Sequence, residues 1–395
     1  MPESPIGVGI VGANPRRGWA SSAHIPALQA LPEYEIRAAS TTSDVVDDVK
    51  HAYGIDLVFD NNAEMIRRPE VELVVVAVKV PLHRELVTAA LNAGKAVYSE
   101  WPLGVDLAEA TGMADHARRA GTHTMIGLQN RVAPGVGHVR DAVSRGDIGD
   151  VLSTTMTVSA MGGDRIDQAN SYMFDIRNGA NMLTIGLGQG VDALTHSLGE
   201  WQELTALLAT RTPSLTVIET GARIPRTSHD QAAIIGTLTG GTTASVHFRG
   251  SLSHEDSFRW EINGSEGDLL VTAAGSSPGI FPLTVHRRAK GAAEFDTLPL
   301  SPLQRPGMPA GSPASNVAEM YSRLAADLRE GTRTVPDFND AVVRHRMLAA
   351  IEESARTGTR QTYLPDTDRP AVLTPPSPVA GDQHLRDREK EVTDR

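Results

Sequence analysis

Gly12 and Asn14 stand between an apolar run, Ile6 to Val11, and an amphipathic stretch, Ala23 to Leu31. A glycine leaving a buried strand can turn sharply and bring backbone N–H groups against a pyrophosphate. The helix that follows adds free N–H groups and a partial positive charge. The loop is longer than the G-x-G-x-x-G fingerprint of dinucleotide sites: Asn14 takes the second glycine position, and Pro15-Arg16-Arg17-Gly18 follows. A glycine-rich turn without a ligand is the alternative reading. The next apolar run ends Ala38-Ala39-Ser40-Thr41-Thr42, with no carboxylate before Asp44. An acid there would hold the 2′-hydroxyl of NAD. The hydroxyls of Ser40 and Thr41, with charge from Arg16 or Arg17, suit a 2′-phosphate, so NADP is favoured over NAD. Both arginines as solvated loop residues is the competing reading.

Hydride transfer needs a group that handles the accompanying proton. Lys79 follows the run Val71 to Val78, at the carboxyl end where doubly wound sheets place ligands. Desolvated there, its amine could act as base; otherwise it points to solvent or contacts the cofactor. Tyr172 is the second catalytic candidate, since a phenol both donates to and accepts from a substrate oxygen. His196 is expected to be packed or exposed. Gln129 and Asn130 end a strand, where their amides suit nicotinamide or substrate hydroxyls. Arg131 would pair with an acid or a substrate. Asp175, Arg177, Asn178 and Asn181 precede an apolar helix, as an N-cap cluster or a substrate-contacting loop. His24 and His83 receive no metal role. No pair of histidine and carboxylate falls at i, i+4 on a convincing helix face, so no metal site is expected.

The elements that position these residues read in two textures. Up to about residue 131, strands at Ile6 to Val11, Tyr34 to Ala39, Val58-Phe59, Val71 to Val78, Ala96 to Ser99 and Thr124 to Leu128 alternate with helices. Those helices are Ala23 to Leu31, Val45 to Tyr53, His83 to Ala93 and Leu107 to Ala120. Continuous Val/Ile runs between helices predict a parallel, doubly wound α/β sheet, a Rossmann domain over 1–131. From 132 to 365, Val151 to Ser159, Leu204 to Arg211, Ala232 to Leu238, Thr242 to Arg249 and Phe258 to Ile262 alternate at period two. Turns at Gly240-Gly241 and Gly264 to Gly267 predict a large, mostly antiparallel sheet in an α+β domain. Helices near Ala318 to Arg329 and Ala341 to Ala355 close it. The proline- and charge-rich stretch 366–395 is expected to be a disordered tail.

Composition narrows the function. The 395 residues carry 37 Lys+Arg against 48 Asp+Glu, a net charge of −11, which argues against nucleic-acid or anionic-membrane binding. Zero cysteines exclude disulfides, thiolate metal sites and cysteine nucleophiles. No apolar run approaches the roughly 20 residues of a membrane span, and the N-terminus lacks a signal-peptide layout. A cytoplasmic protein is expected.

Five pieces of the chain together resemble the glucose–fructose oxidoreductase / inositol dehydrogenase / rhizopine-catabolism (Gfo/Idh/MocA) family. They are GIVGANPRRGWASSAHIP, VVVAVKVPLHRELVTAALNAGKAV, SEWPLG, IGLQNR and NGANMLTIGLGQGVDALTHSLGE. The resemblance implies a Rossmann domain, an α/β domain whose sheet packs in oligomers (dimer or tetramer), and a nicotinamide cofactor used on sugars, nucleotide sugars or cyclitols. It also implies that Glu100 and Trp101 lie at the cofactor. The family's Glu-Lys-Pro reads Glu100-Trp101-Pro102, and registering its next motif on Asp192 puts Gln189 at the usual histidine and Ile185 at the usual aspartate. An indole cannot titrate, so the usual Lys/Asp/His set is missing. Trp101 would instead wall the sugar site beside Tyr172, Asp175, Asn178 and Gln189. Asn14…Gly18-Trp19-Ala20, Glu100-Trp101 and FDIRNGANMLT are similar to the fungal galactose-regulon repressor branch. That branch keeps the dinucleotide site, which brings Trp19 into it, and acts through a protein partner. Two functions are therefore expected: an NAD(P)-dependent oxidoreductase, or a catalytically silent NAD(P)-binding regulator.

Overall fold

The computed structural model describes residues 4–160, 163–250, 256–301, 303, 308 and 311–364. The tail expected from Asp366 onward lies outside them. The first domain alternates β1 (Ile6–Val11), α1 (Ile25–Gln29), β2 (Tyr34–Ser40), α2 (Val46–Tyr53), β3 (Leu57–Phe59), α3 (Asn62–Ile66), β4 (Leu73–Val76), α4 (His83–Asn92), β5 (Ala96–Ser99), α5 (Leu107–Ala120) and β6 (Thr124–Ile126). All strands run parallel in the order β3-β2-β1-β4-β5-β6, the doubly wound Rossmann order. Strand order reverses between β1 and β4, so the loops carrying Gly12 and Lys79 open on the same crevice. The core strands are rich in Val and Ile because helices cover both faces: Val8, Ile10, Leu73, Val74, Val75 and Val76 are all fully buried.

The second domain adds α6 (Pro134–Ser144), β7 (Val151–Ser159), β8 (Arg165–Ile166), α7 (Gly188–Leu198), β9 (Trp201–Ala209), β10 (Ser214–Val217), β11 (Arg223–Pro225), β12 (Gln231–Leu238), β13 (Thr243–Arg249), β14 (Phe258–Gly264), β15 (Gly267–Ala273), β16 (Thr284–Ala289), β17 (Asp296–Leu298), α8 (Ala314–Glu330) and α9 (Phe338–Thr357). Eight strands form one sheet in the order β17-β16-β15-β14-β7-β13-β12-β9, antiparallel throughout except for the β7–β13 pair. The alternating pattern was a sound guide here: Ala232, Ile234 and Leu238 face the core while Ile235 is exposed. Strands β8, β10, β11, β15, β16 and β17 and helices α3 and α6 escape the sequence reading. β16 is Thr-Val-His-Arg-Arg-Ala, too polar to alternate, and α6 opens Pro-Gly-Val-Gly, poor in helix formers.

The last two helices do not both close the second domain, as their position in the chain suggested. Val317, Ala318, Met320, Tyr321 and Leu324 of α8 share a core with Ile10, Ala23, Leu28 and Val75 of the first domain. Phe338, Ala341, Leu348 and Ile351 of α9 pack with Trp101, Trp201 and Leu204. Amphipathic periodicity says that a helix has a buried face, not which sheet receives it.

Candidate functional site

The loop after β1 starts with Gly12 at φ +93°. A Cβ there would lie 2.6 Å from Val78 Cγ1 and 2.9 Å from the Ala77 carbonyl, so the β1 and β4 ends approach only because position 12 is glycine. The inserted residues fold on themselves: Asn14 Oδ1 accepts from Arg16 N at 3.0 Å, and the Asn14 carbonyl accepts from Arg17 N at 3.2 Å. Arg16 reaches Asp48 at 2.5 Å, while Arg17 remains exposed. Helix α1 is entered through a π-helical turn, Ala20–His24. At the end of β2, Ser40 is fully buried and its carbonyl accepts from Gly12 N at 3.0 Å. Two polar atoms beside this loop, Ser40 Oγ and Trp19 Nε1, are buried without a hydrogen-bond partner. Thr41 is half-buried.

Across the crevice, Lys79 follows β4 and is exposed. Its turn is held by His83, whose Nε2 lies 3.0 Å from the Val78 carbonyl. Burial lowers the His83 pKa, so the neutral ring donates from Nε2, with Ser99 Oγ 3.4 Å from Nδ1. Lys79 Nζ sits 4.5 Å from the ring centroid of Tyr172, the other catalytic candidate, which comes from the second domain. Burial raises the Tyr172 pKa, keeping its phenol protonated. The Tyr172 carbonyl accepts from Asn178 Nδ2 at 2.7 Å. Asp175 is bound by Arg177, whose hydrogen bonds hold the carboxyl down to about 2. Asn181 caps a second π-helical turn, Met182–Leu187, accepting from Leu183 N at 2.9 Å and Thr184 N at 3.2 Å. Isolated π-helical turns recur at functional sites, and here one borders each wall.

Glu100 follows β5, with Oε1 3.0 Å from His24 Nε2 and 13% of its side chain exposed. Trp101 is only 5% exposed. Its indole donates to the Thr184 carbonyl at 2.7 Å and its ring lies 4.9 Å from that of His345. The indole N–H is therefore already committed to the second domain. Gln189, from α7, donates to the Gly127 carbonyl at 2.6 Å and to Gln129 Oε1 at 3.3 Å, leaving Gln189 Oε1 buried and unpartnered. Asn130 Nδ2 donates to the Gln189 carbonyl at 3.1 Å. Residues 129, 130 and 189 thus form one amide cluster that joins the end of β6 to α7.

Other candidates turn away from this crevice. Arg131 grips Asp192 with two hydrogen bonds of 2.8 Å, and also reaches Asp340 at 2.9 Å. His196 Nε2 lies 3.1 Å from Arg140 Nη1, and burial lowers its pKa. Among the described residues no group of three or more His, Cys, Asp or Glu is arranged to hold a metal, and no helix is long and apolar enough to cross a membrane. An apolar cavity of about 360 Å³, lined by Pro134, Phe281, Leu283 and Ser315 among others, includes neither Lys79, Tyr172 nor Glu100. The crevice is preferred as the site because convergent polar groups, not volume, carry chemistry. Sequence reasoning missed His24 and His83 as hydrogen-bonding supports and Tyr321 and His345 altogether; a histidine five residues beyond Val78 was the only local signal.

The sequence model of the oxidoreductase family with an NAD-binding Rossmann fold, GFO_IDH_MocA, matches residues 6–128, and that of the Gal80p C-terminal domain matches residues 134–273. The first segment is thus similar to the Rossmann fold of that oxidoreductase family and the second to the Gal80p C-terminal domain. Among relatives, the dehydrogenase aclE of Aspergillus oryzae is 28% identical over 85% of this chain and 90% of its own. The galactose/lactose metabolism regulatory protein GAL80 of Saccharomyces cerevisiae is 25% identical over 90% and 94%. In fold, a super-repressor mutant of Gal80p from Saccharomyces cerevisiae superposes with a TM-score of 0.82 at 22% identity, covering 91% of this chain and 97% of that one. Levoglucosan dehydrogenase in complex with NADH and levoglucosan gives 0.77 at 20%, covering 91% and 100%. Similarity to these proteins places dehydrogenases and a regulator side by side among the relatives. It also gives the substitutions at Trp101, Ile185 and Gln189 their meaning, since these are the positions at which the resemblance puts the family's acid–base groups.

Proposed function

We propose that the protein is an NAD(P)-dependent oxidoreductase acting on a sugar-like alcohol or ketone: a sugar, nucleotide sugar or cyclitol. The approach of Lys79 to the Tyr172 ring carries this reading, because it puts a cation and a protonated phenol together at the carboxyl end of β4. The buried, unpartnered Ser40 Oγ and Trp19 Nε1 fit a dinucleotide that completes their hydrogen bonds. Gly12, Asn14, Arg17, Trp19, Ser40 and Thr41 would hold its adenosine and phosphates, and Lys79, Glu100, Trp101 and Gln129 its other half. When bound, the nicotinamide supplies or takes the hydride. Tyr172 holds the proton at Oη and exchanges it with the substrate oxygen, while the Lys79 ammonium favours the phenolate left behind. Asp175, Asn178 and Gln189 line the substrate side, with Trp101 as its apolar wall. Hydroxyls at Ser40 and Thr41 favour NADP over NAD. A homo-oligomer, dimer or tetramer, in the cytoplasm completes the reading; Leu207 and Ile235 are exposed on neighbouring strands of the large sheet.

The test is absorbance of the reduced nicotinamide against sugars, nucleotide sugars and cyclitols. Tyr172→Phe is expected to cut turnover about 10²- to 10⁴-fold while dinucleotide affinity holds; unchanged turnover removes Tyr172 from the chemistry. A second reading, a catalytically silent NAD(P)-binding regulator acting through a protein partner, is favoured by the engaged indole of Trp101 and the Gal80p-like second domain. Tight dinucleotide binding with no turnover on any substrate selects it.

A further inference from the structure

Glu100 borders the crevice, yet its orientation is settled by residues from elsewhere in the fold. We propose that His24 and Tyr321 are positioning residues that hold the Glu100 carboxylate for the dinucleotide; this rests on the dinucleotide-binding reading above. His24 is fully buried and both ring nitrogens are engaged: Nε2 is 3.0 Å from Glu100 Oε1, and Nδ1 is 2.8 Å from Tyr321 Oη. An ionised carboxylate only accepts, so Nε2 carries the hydrogen. Burial raises the Tyr321 pKa well above its ordinary value, so the phenol keeps its proton, and in the tautomer with its one hydrogen on Nε2 the ring accepts the phenol's hydrogen bond at Nδ1.

Tyr321 is itself fixed. Tyr34 Oη donates to the Tyr321 carbonyl at 2.7 Å, and the rings of Tyr34 and Tyr98 meet that of Tyr321 edge-on at 5.3 and 5.1 Å. On the opposite side the carboxylate rests against Gly127, where a Cβ would lie 2.5 Å from Oε2. The carboxylate therefore has an oriented donor on one side and a backbone wall on the other. A chain of neutral donors aims it without cancelling its charge, as an arginine in place of His24 would. The negative charge is left to attract hydroxyl donors of the cofactor. Through this relay α8, far downstream of Glu100 in the chain and packed into the first domain's core, becomes part of the cofactor site.

The experiment is a double-mutant cycle read by calorimetric titration with NAD, NADH, NADP and NADPH. Tyr321→Phe is expected to weaken dinucleotide binding about three- to ten-fold, the worth of one hydrogen bond. In a Glu100→Gln background it should change affinity less than about two-fold, because it acts only through that carboxylate. Equal losses in both backgrounds would show that Tyr321 merely supports packing, and no loss in the otherwise wild-type protein would end the proposal. Wild-type protein that binds no dinucleotide overturns the parent reading instead. The relay geometry has its own readout: histidine ¹⁵N spectra of the ligand-free protein should show His24 neutral, protonated at Nε2, with its Nδ1 signal displaced in Tyr321→Phe. A hydrogen on Nδ1, or no displacement, refutes it whether or not either variant binds.

Discussion

Around Asp192, two arginines and three carboxylates from separate parts of the chain close on one another. Arg131 meets Asp192 and Asp340, and Arg344 meets Asp192 and Glu200. Around Glu100, a less fully buried carboxylate meets a histidine with a tyrosine behind it, and has the phenol of Tyr98 beside it. Asp192 and Arg344 are wholly buried, whereas Glu100 keeps an edge in the crevice. This ionic lattice, two guanidinium groups shared among three carboxylates, spends its electrostatics largely on itself and ties the turn after β6 to α7, α9 and the start of β9. A carboxylate oriented by neutral donors keeps charge available for a ligand. Asp192, the residue on which the family motif was registered, is taken up by its two guanidinium neighbours.

The comparison can be broken most severely at Asp192. Asp192→Ala leaves Arg131 and Arg344 with one carboxylate each, Asp340 and Glu200, in place of a shared buried one, and is expected to cost about 3 kcal/mol of unfolding free energy, read by denaturant titration. A loss below about 1 kcal/mol would mean that water or neighbouring carboxylates replace it, and the lattice would no longer count as scaffolding. His345, beside Trp101, offers a test by acid. Burial lowers its pKa to about 4. The unfolded chain thus takes up a proton that the folded one refuses, so stability present above about pH 6.5 falls as the pH drops toward 4. His345→Phe should flatten that part of the stability–pH curve by up to about 3 kcal/mol; an unaltered curve would show that the ring protonates in the folded state.

Glu100→Gln is expected to weaken dinucleotide binding about ten-fold, or about 1.4 kcal/mol, with unfolding free energy changed by less than about 1 kcal/mol, since an amide oxygen still accepts from His24. Large destabilisation with unaltered binding would put Glu100 in the same class as Asp192. The smallest effect is expected at the loop. Arg17→Ala combined with Ser40→Ala should raise the Kd for NADP several-fold more than that for NAD, by the loss of one charge-assisted contact. Equal losses would remove the 2′-phosphate assignment.

Local pattern carried much of this molecule. Val/Ile runs between helices can form only a covered parallel sheet, and the crevice of such a sheet lies at its strand ends, so Gly12, Ser40, Lys79 and Gln129 were legible as one neighbourhood from the chain alone. Their neighbours were not. Lys79 stays exposed, and what stands opposite it is Tyr172, far later in the chain and placed there by the second domain. The use of Trp101 was equally hidden, because its N–H finds a carbonyl on a π-helical turn 83 residues away. By itself the sequence determined the periodicities, the strand-end loops and the absence of cysteine chemistry, since these depend on neighbours in the chain. Only the tertiary structure decided which buried charges are cancelled and which remain open, because an ionisable group answers to the charges and donors around it in space, and for Glu100 and Asp192 those arrive from distant segments.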